Sequence, residues 1–462
     1  SDATDNLELT FTANISNLTG DGKLYGNALR ATITATNSST ENSYAGKLNC
    51  STRKWTVTDN GDNTYTASWE SMGVTTQPLV VAKKTDDTDG QTTLTFAVDG
   101  LESDALYSFR FTYSNTSVEN NVVDAIHLGL DANGFGSLKA TEGYSLGDAT
   151  GTTTIYPAST SIDAAAACFV DLRNLASTDG LTVTPSSNPN CLYLLADGAT
   201  VPSGLTGRNV IAGTTAKTLT LTDGQDFYSP IDFTATSAAY TRTFTRAANG
   251  TSGWNTIMLP FTVSAVTCGD ADVDWFHSST DTGKNFWLKT FTGDETGSVY
   301  FDFADQMLAN TPYIIAVPDN RWGTEWQMTD KAVTFSGANV TIAATETADM
   351  SGDSYKFCGD TRTTSVSQAY ALNDEGSSFK YSEEAATIDP FRAWFAGSSI
   401  SSLTLPALGI ANGQLTGITA IGADEGTAAT TDTYDLSGRK VTGRQLRPGI
   451  YIVGGKKKLI LK

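Results

Sequence analysis

The sequence predicts an all-β protein: several β-sandwich (Ig-like) or short β-ladder domains in a row, closed by a small C-terminal β-module. Three observations carry that expectation. Apolar and polar residues alternate at period two in LELTFTANI, TTLTFAV, YSFRFTY, LTLTL and YIIAV, the pattern of strands with one buried face. Gly, Asn and Asp clusters such as DNGDNT and DDTDG punctuate these runs as turns. Long runs with helical period are missing, and only AIHLGL and DAAAACF suit one or two helical turns.

Taken in order, residues 1–155 read as an Ig-like sandwich. Strands LELTFTANI, RATITAT, TYTASW and TTLTFAV lead into LESDALYSFRFTY. There a Gly turn precedes a strand that sends Tyr107, Phe109 and Phe111 to one side and Ser108, Arg110 and Thr112 to the other. Residues 156–245 hold brief, evenly spaced strands (CFVDL, CLYLL, RNVIAG, TLTLTDG), which fit a short ladder or a second sandwich. Residues 246–415 form a third β-rich unit carrying GWNTIMLPFTV, NTPYIIAVP, SYKFCG, QAYALN and PFRAWF. The small, polar stretch 416–432 reads as a linker, and 433–462 as a basic terminal module. A chain of 462 residues has ample length for such a series.

Charge separates the body from the tail. Tyr434–Lys462 contains eight Lys or Arg and one acid, a balance of +7, so a chain of net charge −20 leaves −27 on the remainder. A body that negative repels phosphate backbones and anionic lipid, which argues against nucleic acid as a partner. No apolar run approaches the roughly 18–20 residues of a transmembrane helix. The start SDATDN, without Met or an apolar stretch, reads as a mature form whose export signal has been removed. The five cysteines (Cys50, Cys168, Cys191, Cys268, Cys358) include no CxxC and sit among strand-like apolar residues. They read as buried free thiols, with Cys168–Cys191 the pair to test first for a bridge.

Catalytic patterns are scarce. The two histidines, His127 in DAIHLGL and His277 in DWFHSS, read as a packed residue and a strand-edge residue. Neither belongs to HExxH, and GxxxxGK[ST] is absent. Carboxylate pairs are inevitable among 50 acids and identify no glycosidase. The expectation is a protein without enzymatic activity or a resident cofactor. The candidate calcium ligands are in GDADVDWF, where Asp270, Asp272 and Asp274 alternate; Trp275 stands where an EF-hand loop needs Gly. Alternating aspartates also suit the solvated face of a strand. The distinctive candidate for binding is DNRWGTEWQMTD. Trp322 and Trp326 flank a Gly, with Asp319, Arg321 and Glu325 beside them. Aromatic faces plus planar polar groups suit sugars and protein hot spots; the alternative is a loop that folds its indoles onto the core. Trp254, Trp275, Trp287 and Trp394 have strand neighbours and read as core.

The terminal module resembles the C-terminal sorting domains of Bacteroidota proteins exported by type IX secretion. The matching residues are Tyr434, Asp435, Leu436, Ser437, Gly438, Arg439, Lys440 and Val441, then Pro448, Gly449, Ile450, Tyr451, Ile452 and Val453, then a Lys-rich strand with Lys456, Lys457 and Lys458. IYIV-GG-KKKLIL also reads directly as a hairpin with a two-residue turn, its Lys row discouraging random edge pairing. Phrases between about 160 and 400, among them NPNCLYLL, GWNTIMLPF, ANTPYIIAVP and PFRAWF, resemble those of large multi-domain surface proteins of the same bacteria. The resemblance implies an extracellular or cell-surface location, recognition by the secretion machinery, and in many relatives removal of the module with attachment to surface glycolipid. The function expected is that of a non-catalytic surface protein, adhesin-like or structural. The alternatives are a self-assembling subunit of a fibre or layer joined by tail-to-body contacts, and a glycan-binding accessory protein. Partners would be the secretion machinery, other copies of the chain, glycans or host surface proteins.

Overall fold

A computed structural model describes residues 9–16, 28–102, 105–114, 124–129, 143–295, 297–397, 407–412, 433–435, 449–453 and 456–460. Among these the regular elements are β-strands, plus single 3-10 turns at Ser203–Leu205 and Asn320–Trp322. The protein is all-β, as expected.

The first unit is a sandwich. Leu9–Ile15, Ala28–Asn37 and Gly90–Asp99 form an antiparallel sheet. It packs against the long hairpin Tyr44–Asp59/Tyr65–Val81 and its neighbour Leu106–Ser114. Alternation decides what goes inside: Leu29, Ile33 and Phe96 meet Tyr107, Phe109 and Phe111. Phe96 meets Phe111 edge-on at 5.3 Å. Ser108 and Arg110, on the opposite face, point away from this core. The expected helical turn at AIHLGL is corrected: Asp124–Gly129 is a strand paired antiparallel with Leu106–Ser114. A partner strand with unpaired backbone groups outweighs a weak local preference. DAAAACF likewise forms a tight turn, with Ala167 N bonded to Ala164 O at 2.9 Å, and then enters the strand Phe169–Asp171.

The second unit resolves the open choice in favour of a ladder. Phe169–Asp171, Leu192–Leu195 and Asn209–Ala212 stack in parallel, as do Ser161–Asp163 and Thr182–Thr184 on the other side of the coil. Ile162, Val170, Val183, Tyr193, Leu195 and Leu205 fill the interior. Phe169, Leu192, Leu194 and Ile211 face a second core, so LYLL is apolar throughout because both its faces are covered. Two asparagines staple the coil. Buried Asn190 donates to Thr222 O (3.0 Å) and Gln225 O (2.7 Å) and accepts from Thr222 N (2.7 Å). Asn209 does the same for both backbone groups of Thr220. Each side chain satisfies carbonyl and amide groups that burial would otherwise orphan.

One fourteen-stranded sheet joins the units. It runs from Asp124–Gly129 through the sandwich hairpin, Gly143–Gly147 and the ladder to Phe233–Thr243, Ala332–Ile342 and Ala265–Cys268. The strand order therefore carries hydrogen bonding across residues 155 and 245. A further sheet contains Phe286–Glu295, Tyr313–Ala316, Tyr355–Asp360 and Arg392–Gly397, over a core of Phe291, Phe301, Phe357, Phe379 and Phe395. Where the ladder side meets this unit lies a buried charged cluster. Asp223 binds Arg392 at 2.8 Å, lies 3.7 Å from Arg242, and accepts from Tyr240 Oη at 2.5 Å. Thr433–Asp435, Gly449–Val453 and Lys456–Ile460 form a separate three-stranded antiparallel sheet. Val453 pairs with Lys456, which fixes the two-residue hairpin connection.

The five cysteines are free thiols. Cys168 faces the core outside the ladder and Cys191 its interior, so the two side chains serve different cores. Burial pushes the thiols of Cys50 and Cys191 up to about 12 and those of Cys168 and Cys358 up to about 11. Only the thiolate reacts. At pH 8 the native protein is expected to react rapidly with Ellman's reagent at Cys268 alone, the half-exposed thiol, and at all five after denaturation. Rapid reaction of several thiols in the native state would contradict this packing.

Candidate functional site: an aromatic ribbon

Trp275–Phe276 and Phe286–Glu295 pair in parallel, with Phe276 opposite Trp287. Alternation sends Trp275, Phe286 and Leu288 into the core. Phe276 and Trp287 therefore share the outer face, stacked at 5.3 Å with their planes 18° apart. Trp322, from the 3-10 turn, leans on Trp287 at 5.3 Å and 57°. Its side chain stays 51% exposed, one of the largest exposed apolar groups among the described residues. The result is a row of three aromatic rings with a bend at the last.

The loop that presents Trp322 is built, not slack. Asp319 caps the turn, accepting from Arg321 N at 3.0 Å and Arg321 Nε at 2.7 Å. Gly323 has φ +114°, a conformation that side-chain-bearing residues rarely adopt. Met328 N and Thr329 N close the loop on Pro318 O at 3.0 and 3.3 Å. Holding an indole half in solvent on such a support is the pattern of a recognition surface.

Polar groups line the strand end of the ribbon. Asp274 takes Lys284 Nζ and the Trp275 amide, with His277 Nε2 at 3.6 Å. Burial opposes ionisation of Asp274, but the Lys284 ammonium outweighs it and holds the carboxyl below its ordinary range. Ser278 Oγ (2.8 Å) and His277 N (2.7 Å) donate to Asp281, which also sits below that range. These bonds fix the 274–285 loop beside Phe276.

Several expected residues fall elsewhere. Trp326 is half-buried, its amide bonded to Gly323 O at 3.0 Å, and Glu325 is exposed next to it. Asp270 and Asp272 are exposed on the hairpin Ala265–Cys268/Ala271–Val273, whereas Asp274 is engaged by Lys284. Among the described residues no three His, Cys, Asp or Glu side chains gather as a metal group. Of the terminal module, Tyr434, Asp435, Gly449, Tyr451, Lys456, Lys457 and Lys458 lie on its three strands. Leu436, Gly438, Arg439 and Pro448 lie outside the described residues. Trp275 and Trp394 are buried and Trp254 packs half-buried against the phenylalanine core, whereas Trp287 lies half-buried on the outer face, which corrects its reading as core. Phe276 and Trp287 were missing from the expected site. The alternation Phe286–Trp287–Leu288 was the available signal, masked by three successive apolar residues.

No protein-family model matches the chain, and no curated protein does. Two solved structures give partial likenesses. The sporulation control protein Spo0M from Bacillus subtilis is 6% identical, with a TM-score of 0.18, covering 26% of this chain and 48% of that one. A structural-genomics target, SoR45, is 17% identical, with a TM-score of 0.13, covering 27% of this chain and 87% of its own. This chain thus spans about half of the first and most of the second. Among the described residues no helix is long and apolar enough to cross a membrane.

Proposed function

We propose that this chain is a non-catalytic, exported surface protein that binds carbohydrate through Phe276, Trp287 and Trp322. The carrying observation is Trp322, braced on Trp287 by a closed loop yet half exposed. The C–H face of a pyranose ring stacks on such planes, while groups such as Arg321 and His277 supply edge hydrogen bonds. The resemblance of the terminal module to C-terminal sorting domains supports export and anchoring as its role.

The test is affinity electrophoresis in gels cast with plant, microbial and host polysaccharides. The wild type is expected to be retarded by at least one of them without releasing reducing ends. Trp322→Ala is expected to weaken that retention about 30-fold, the loss of a central aromatic contact of about 2 kcal/mol. Its melting temperature should stay near that of the wild type, since exposed positions away from caps and cores contribute little to stability. Unchanged retention of a folded Trp322→Ala protein would sink the proposal.

A further inference from the structure

A cleft of about 200 Å³ opens between the sandwich, the ladder and the 228–232 and 344–346 segments. Ser108 and Arg110, on the strand face turned away from the sandwich core, line it together with Arg53 and Arg173. Three guanidinium groups and two carboxylates, Asp232 and Glu346, line this small cleft, so its lining carries one positive charge in a chain whose net charge is −20. Two of them are held rigidly by their own partners. Arg53 donates from Nη2 to Thr345 O at 2.9 Å and lies 3.9 Å over the Trp69 ring. Arg173 makes a fork with Asp171 at 2.9 and 2.7 Å.

Arg110 is the exception. Its nitrogens lie 3.5 Å from Asp232 and 3.7 Å from Glu346, beyond the roughly 2.7–3.2 Å of a full bond. Its Nε is buried without a hydrogen-bond partner among the described residues. Both carboxylates have other donors: Asp232 accepts from Ala344 N, and Glu346 accepts from Ser51 Oγ at 3.1 Å. Arg110 is thus the most weakly engaged of the three guanidinium groups, with hydrogen-bonding capacity to spare.

We propose that this cleft binds a small carboxylate of monosaccharide size, anchored on Arg110. The guanidinium fork matches a planar carboxylate or a phosphate. Asp232 and Glu346 repel a dianion more than a monoanion, which favours the carboxylate. Trp55, Phe169 and Tyr228 supply apolar wall for its carbon body.

The test is calorimetric titration of the full chain with D-glucuronate, D-glucose and inorganic phosphate. Millimolar glucuronate is expected to bind, glucose to show no heat, and phosphate to bind at least 10-fold more weakly. Arg110→Gln should weaken glucuronate binding 10-fold or more. Thr214→Trp, at an exposed position on the cleft mouth, provides a second blockade that spares the buried charges. Trp322→Ala should leave this binding unchanged, which separates the cleft from the aromatic ribbon. Absence of glucuronate binding, equal binding of phosphate, or binding indifferent to Thr214→Trp would overturn the proposal.

Discussion

Asp223→Ala is expected to destabilise the protein by about 3–5 kcal/mol, the cost of leaving a buried cation without its anion. Asp223 holds Arg392 at 2.8 Å and Arg242 at 3.7 Å, and both guanidinium groups are largely buried. Burial, then the neighbouring Arg392, pushes Arg242 down to about 10, so it remains charged at neutral pH. Among the described residues it has little else to neutralise it, donating to Thr256 O at 2.9 Å and Asn255 Oδ1 at 3.3 Å. The pH dependence has a definite sign. Burial alone would raise the Asp223 carboxyl, but the Arg392 fork outweighs it and holds it below its usual 3.8. A depressed carboxyl contributes stability above the unfolded value and loses it as pH falls through the folded one. The gap between wild type and variant in denaturant unfolding should be full above about pH 5 and close in stronger acid. A gap that persists undiminished at pH 2 would show that the side chain acts by shape and not by charge.

Phe395→Ala is expected to cost a similar amount, about 3–5 kcal/mol, for a different reason: the cavity it leaves. Phe395 is fully buried, stacked on Phe357 at 4.5 Å and met edge-on by Phe379 at 4.8 Å and Phe291 at 5.2 Å. These rings come from separate strands held by the sheet, so collapse into the gap is restricted. The loss should show in denaturant unfolding at every pH, in contrast to Asp223→Ala. Phe395→Leu should recover most of it, and failure of that rescue would mean that the ring's edge contacts, not its volume, dominate.

Local pattern made much of this fold legible. Tyr107, Phe109 and Phe111 declared their face by period two, and all three are buried in the sandwich core. The hairpin of the terminal module was readable from two glycines between apolar and Lys-rich runs. Long-range features were not. AIHLGL carried no sign of the strand edge waiting at Leu106–Ser114. The single sheet joining three units depends on pairings such as Phe233 with Ile342, far apart in the chain. The same limit applied to sites. Trp322 stood out because Trp, Gly and charged residues cluster locally, whereas Trp287 was concealed in an apolar strand. The Arg110 cleft draws residues from seven separate segments and leaves no motif at all.

The central claim is that Phe276, Trp287 and Trp322 form one carbohydrate-binding surface. Hydroxyl-radical footprinting with mass-spectrometric readout addresses it directly, using an oligosaccharide from whichever polysaccharide retains the protein. At saturation, oxidation of Trp322 and Trp287 should fall together, while Met72, exposed on the sandwich, stays as reactive as before. Unaltered oxidation of both tryptophans in a saturated complex would contradict the account and place the sugar elsewhere on the molecule.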